Sequence, residues 1–284
     1  MGLEQDRTDA VAGILACASG PGRLGPMRFL RRTLFAAVGL GSLVGNAGCA
    51  DSESMIFIRH VQVPVSNASG CTVDPDPTGL FFSSGVLDVA FSTQYSAELL
   101  VGSQLVARGN SSGLRLETAR VQIQGAIVHV DDAGGNLAWG PTTVVGSGFI
   151  DPAVGSDATY GLTSTVLLGA SLGTSLRAEL RGERGRVRYF TSFVKVFGRT
   201  LGGASVETGE WQFPISVCYG CLVSFPPDSY LATPVAGGGL PPPNCDGIAA
   251  TGSSVTSPCH PGQDDLIDCR LCKQTSADSA ICNP

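Results

Sequence analysis

Charge is scarce in this chain of 284 residues: Asp, Glu, Lys and Arg together make up 15%, aromatic residues 7%, and histidine occurs three times. The formal net charge is −6, so no bulk electrostatic pull toward nucleic acid exists. No apolar run approaches the roughly 20 residues that cross a bilayer as a helix. HExxH, Walker and dinucleotide-binding patterns are all missing. The acidic groups Asp74/Asp76, Asp131/Asp132 and Asp264/Asp265/Asp268 lack EF-hand spacing and read as solvated turns. Convincing helical periodicity is missing too. Ser175–Glu183 has room for two turns, but Arg, Glu and Gly stand where an apolar stripe belongs. What is present is 43% hydrophobic residues with 38 Gly and 17 Pro, a mixture that favours strands and turns around a sizeable core.

Residues 27–48 have the layout of an export signal. Arg28, Arg31 and Arg32 form a positive start, Thr33–Gly45 supply a short apolar core, and small residues Ala47 and Gly48 precede Cys49. A Cys after Ala-Gly resembles the lipobox of bacterial lipoproteins, although Asn46 stands where that family carries an aliphatic residue. The resemblance implies cleavage before Cys49, acylation of that residue, and attachment to a membrane through it. Ala50 at the next position implies sorting to the outer membrane. Cleavage by the ordinary signal peptidase would instead give a secreted product. Residues 1–26 then read as a non-native extension upstream of a start at Met27, and residues 49–54 as a tether. From Cys49 onward, 13 basic and 21 acidic residues leave a net charge of −8.

Apolar bursts follow at Met55–Val65, Val86–Phe91, Ala97–Val106, Leu114–His129, Thr142–Val145, Thr165–Leu168, Arg186–Phe197 and Trp211–Val217. Alternation is clearest in Arg120-Val121-Gln122-Ile123-Gln124 and Val194-Lys195-Val196, the period of a strand with one wet face. Turn signals separate the bursts at 109–113, 131–135 and Gly202-Gly203. The pattern predicts an all-β fold over 55–225, an antiparallel β-sandwich of Ig-like size or larger, or two small ones in tandem. Residues 226–284 change character, with Pro226-Pro227, a Gly-rich stretch and Pro241-Pro242-Pro243. They read as an irregular tail that cannot build a core of its own.

Cysteine staples that tail. Apart from Cys17 and Cys49, eight remain: Cys71, Cys218, Cys221, Cys245, Cys259, Cys269, Cys272 and Cys282. In an exported chain an even number reads as disulfides. Seven lie in 218–282, so full pairing requires one of them to reach Cys71. The two CxxC pairs, Cys218/Cys221 and Cys269/Cys272, also have zinc-ligand spacing, which makes a zinc-stabilised binding module an alternative. A thioredoxin-like centre wants its CxxC at the start of a helix, whereas Leu222-Val223-Ser224-Phe225 continues as a strand.

Catalytic patterns are few. Gly109–Gly113 and Gly169-Ala170-Ser171-Leu172-Gly173 both fit GxSxG. The second sits between a strand and a possible helix, the context of a nucleophile elbow. A serine hydrolase using Ser171, with Asp228 or Asp246 and His260, is therefore an alternative reading. The alternating helices of such a fold are missing from the pattern. His60 and His129 fall in strands, and the run Arg181, Arg184, Arg186, Arg188 reads as a solvated face beside Glu179 and Glu183. No cofactor is expected.

Three segments, Val194–Gly203, Trp211–Cys218 and Pro261-Gly262-Gln263-Asp264-Asp265 ahead of Cys269, resemble uncharacterised bacterial surface lipoproteins with a β-rich body and a C-terminal cysteine cluster. That resemblance implies a lipid-anchored, non-enzymatic envelope protein of structural or adhesive role. Its expected partners are the membrane through Cys49 and an envelope protein or glycan, with no nucleic acid.

Overall fold

A computed structural model describes residues 55–67, 70–109, 117–183, 185–230, 243–245, 257–275 and 278–282. The extension 1–26, the export signal 27–48, Cys49 and its tether, the first GxSxG beyond Gly109, the Pro/Gly stretch 231–242, Asp246 and Arg184 lie outside the described residues.

Alternation sets the architecture. Along β7 (Val121–Asp132), Val121 and Ile123 point inward while Gln122 and Gln124 are exposed. A bulge at Gly125 then shifts the register so that Ala126, Val128 and Val130 keep the inward face. In β10 (Arg188–Thr200) every second residue, from Phe190 to Thr200, is buried. These strands form the middle of a large sheet with β12 (Trp211–Cys218) and β5 (Gly85–Asp88) on one side and β8 (Leu137–Ile150) on the other. A short β11 (Ser205–Glu207) is added on β10. The second sheet orders β4 (Phe81–Phe82), β1 (Ile56–Gln62), β6 (Tyr95–Ser103) and β9 (Thr159–Leu168). A small hairpin pairs β2 (Val65–Asn67) with β3 (Gly70–Thr72).

The two sheets share one core, in which Ile56, Leu99, Val101, Val128, Val194, Phe213 and Ile215 are essentially inaccessible to water. Burying each such side chain contributes about 1.5–3 kcal/mol. Ser192 crosses the interior to donate its hydroxyl proton to the Leu167 carbonyl at 2.8 Å. The fold is thus all-β, as the alternation predicts, and the sandwich is one rather than two. It is not wholly antiparallel: β5 runs parallel to β12.

Two expectations need correction. The helix α1 spans Ala170–Leu180 and starts five residues before the stretch singled out from sequence. Its apolar face is Gly173, Leu176 and Leu180, and glycine serves there because α1 rests on the Thr93 backbone, where a Cβ would overlap the carbonyl. The tail is not simply irregular either. A pair β13 (Val223–Ser224) and β14 (Ile267–Asp268) runs parallel, and α2 (Cys269–Thr275) follows. Cys245, Cys269, Cys272, Ile281 and Cys282 join the main core, so the tail is buried against the sandwich that it could not have replaced.

The strand directions give the sandwich two poles. Met55, Leu105, Thr118 and the 200–209 turn meet at one, where the described chain begins; Cys218, β5 and the 259–268 segment meet at the other.

Candidate functional site

At the tail pole, Asp88 closes β5 in an apolar run and is completely buried. Its carboxylate accepts N–H groups of Ala90 at 3.0 Å, Gly220 at 2.7 Å and Leu222 at 2.9 Å, and that of Cys221 as well. Burial pushes its pKa up, and the four N–H bonds pull against that rise. A buried carboxylate is costly unless it is hydrogen-bonded, and here it shapes the whole 218–222 turn. Gly220 takes φ +72°, a left-handed conformation suited to glycine, with Ile281 packed on it.

The eight cysteines after Cys49 stand in four pairs at disulfide distance. Cys71 reaches Cys259 (Cα–Cα 5.7 Å), Cys218 pairs with Cys221 (5.9 Å), Cys245 with Cys269 (6.0 Å) and Cys272 with Cys282 (5.7 Å). The two CxxC pairs are therefore not collected into a four-sulfur site. Among the described residues one group of three ligating side chains converges, Asp88 with Cys218 and Cys221, whose donor atoms lie within 4.8 Å of one another.

The 260–265 segment is clasped between the sheets. Asp264, at φ +58°, accepts the Val86 N–H at 2.7 Å and the Tyr95 hydroxyl at 2.7 Å, and its own N–H donates to the Val86 carbonyl at 3.0 Å. Burial raises its pKa, while the hydrogen bonds it accepts oppose the rise. Gly262 accepts the Asp88 N–H at 2.8 Å through its carbonyl and leaves no room for a Cβ beside Phe91.

Ser171 does follow a strand and open a helix, from β9 through Gly169 into α1, and it is exposed. Among the described residues, however, its hydroxyl has no hydrogen bond to an imidazole. His260 lies in the tail, its carbonyl accepting the Gln263 N–H at 2.9 Å, and Asp228 lies in a 3-10 turn. His60 is buried, bonded to Gln62 at 2.6 Å and stacked on Phe81. Of the acidic groups, Asp76 caps Thr78, Asp132 accepts Gly134 and Asn136 N–H groups, and Asp268 grips Arg270, whereas Asp264 is not the solvated turn residue expected from sequence but is held in the clasp by Val86 and Tyr95. Arg186 and Arg188 pair with Glu179, and Arg181 with Asp278.

Among the described residues, a cleft and a sheet face stand out as open to ligands. A cleft of about 750 Å³ at the Met55 pole is lined by Leu105, Arg108 and Val206 and by a Lys195–Glu207 ion pair at 3.1 Å. The outer face of the large sheet carries Tyr189, Phe193 and Phe197 in a row along β10, with His129 stacked on Phe193 at 4.6 Å. Tyr189 is 61% exposed and Ile127 41%, so this face is more apolar than a solvated sheet requires.

Sequence reasoning found the cysteines and missed Asp88, Tyr95 and the role of Gln263. For Asp88 a signal existed: a single charge inside Val86-Leu87-Asp88-Val89-Ala90 marks a burial site with partners. No protein-family model matches the chain, and comparison with curated proteins finds no match.

Proposed function

We propose that the protein is a lipid-anchored cell-envelope module with a structural or adhesive role, exported through residues 27–48 and acylated at Cys49. The observation that carries this reading is the pairing of all eight cysteines after Cys49 at disulfide distance, the state expected of thiols in an oxidising compartment. Cys49 precedes Met55 by six residues, so a membrane attachment there holds the Met55 pole within about 20 Å of the lipid surface. Three acyl chains on one residue would make attachment durable. The aromatic face of the large sheet supports a binding role, for an envelope protein or a glycan. Ser171, without a bonded imidazole, gives the hydrolase reading no support.

Metabolic labelling with a clickable fatty acid tests the proposal. The wild-type protein is expected to carry the label and fractionate with outer membrane, and Cys49→Ala to lose both. An unlabelled, soluble cytoplasmic product with free thiols would overturn it.

A further inference from the structure

One bridge differs from the other three. Those pair residues 188, 24 and 10 positions apart, whereas Cys218 and Cys221 are three apart. Loop-closure entropy grows with loop length, so this bridge restricts the unfolded chain least and adds least to stability. Its turn is also held without it. Asp88 binds the N–H groups of Gly220, Cys221 and Leu222, Val89 donates to the Cys218 carbonyl at 2.9 Å, and the Tyr219 hydroxyl donates to Asp278 at 2.6 Å. Opening the S–S bond leaves every one of these contacts in place.

The two sulfurs are unequal. Cys221 is exposed, while Cys218 is 2% exposed with its Sγ 3.7 Å from the Leu87 carbonyl. An incoming thiolate therefore meets Cys221, and a thiol formed at Cys218 finds an acceptor already in reach. The Asp88 carboxylate lies within 4.8 Å of both sulfurs.

We propose that Cys218–Cys221 is a redox-active dithiol–disulfide centre that exchanges with an external dithiol, small or carried by a partner protein, while the sandwich stays folded. The external thiolate attacks Cys221 Sγ and forms a mixed disulfide. The S–S electron pair passes to Cys218 Sγ, which takes up one proton, with the Asp88 carboxyl within 4.8 Å to relay it. The second thiol of the external dithiol, as thiolate, then attacks its own sulfur in the mixed disulfide. That releases Cys221 as a thiolate, which also takes up one proton. The protein gains two electrons and two protons, and the dithiol leaves as its disulfide. No helix N-terminus is needed for this chemistry; the turn is pre-organised by a buried anion instead.

The test uses the folded protein. Dithiothreitol is titrated in, thiols are alkylated and mapped by mass, and circular dichroism is followed in parallel. Cys218 and Cys221 are expected to label first, at about a tenfold lower reductant concentration than the next pair, with the spectrum unchanged. Two variants supply the second readout. Cys218→Ser, incubated with oxidised glutathione, is expected to form a mixed disulfide at Cys221, and Cys221→Ser to form none at buried Cys218. Simultaneous opening of all four bridges with loss of the spectrum, or no adduct on Cys218→Ser, would overturn the proposal.

Discussion

The side-chain amide of Gln263 grips the backbone of Ser96 as a neighbouring strand would. Its Oε1 accepts the Ser96 N–H at 2.5 Å and its Nε2 donates to the Ser96 carbonyl at 3.4 Å, although the two residues are 167 apart in sequence. Gln263 itself forms a bridge with Leu87 of the other sheet. One tail residue thus ties both sheets together at the tail pole.

Removing that grip is expected to be costly. Gln263 is 5% exposed, so Gln263→Ala leaves the Ser96 N–H without its acceptor and should lower stability by about 1–3 kcal/mol. Gln263→Glu keeps the acceptor but sets a carboxylate oxygen against the Ser96 carbonyl, and should recover only part of the loss. Urea unfolding midpoints of the three proteins check this, and equal midpoints would contradict it.

Asp264 combines a left-handed backbone with two accepted hydrogen bonds. Asn tolerates that conformation and retains one acceptor oxygen, whereas Ala tolerates it poorly and retains none. Asp264→Ala should therefore lose at least about 2 kcal/mol and Asp264→Asn clearly less. Thermal melts would rank them, and Asn behaving like Ala would contradict the assignment.

Burial raises the pKa of Asp88 in the folded protein above its ordinary value of 3.8. A carboxyl that holds its proton more tightly folded than unfolded supports stability at low pH, and that support is lost as pH rises through the folded value. Asp132, lowered by hydrogen bonds from the Asn136 N–H and side chain and the Gly134 N–H, acts in the opposite sense: its support is present at neutral pH and lost as pH falls. Asp88→Asn should thus remove one falling component. The stability of wild type minus that of the variant is expected to decline as pH rises from about 4 and then level off. Urea unfolding across pH 4–7 measures it, and a difference that does not vary with pH would contradict the buried-acid account.

At Gly173, helix propensity and packing disagree. Alanine is better in a helix by about 1 kcal/mol. Here its Cβ would overlap the Thr93 carbonyl, a backbone group that cannot rotate away, and such overpacking costs about 1–3 kcal/mol or more. Gly173→Ala should be net destabilising, while Gly182→Ala, in open space but at φ +83°, should lose only its backbone strain. Comparing the two melting temperatures decides which effect wins.

The bridges should differ in weight. By chain entropy, removing Cys71–Cys259 as a double serine variant costs about 5 kcal/mol, and removing Cys218–Cys221 about 2. Equal losses would show that strain or residual unfolded-state structure, rather than loop length, governs both.

The alternation of Val121, Ile123, Val194 and Val196 with polar neighbours was enough to determine an all-β fold, because a period of two leaves only one face to bury. The Asp131–Gly135 and Gly202-Gly203 turns were legible for the same local reason: their conformations need Gly, Asp or Asn. Local sequence did not determine α1, whose apolar face is partly glycine because the helix rests on the Thr93 backbone. Nor could it determine which cysteines pair, or that Asp88, Tyr95, Gln263 and Asp264 meet. The contacts from Asp88 to Gly220, from Tyr95 to Asp264 and from Ser96 to Gln263 join residues 132, 169 and 167 positions apart, and nothing local encodes which distant N–H a buried carboxylate will find. The sandwich followed from periodicity; the tail pole, with its clasp and its CxxC turn, was decided by which surfaces the two sheets left uncovered.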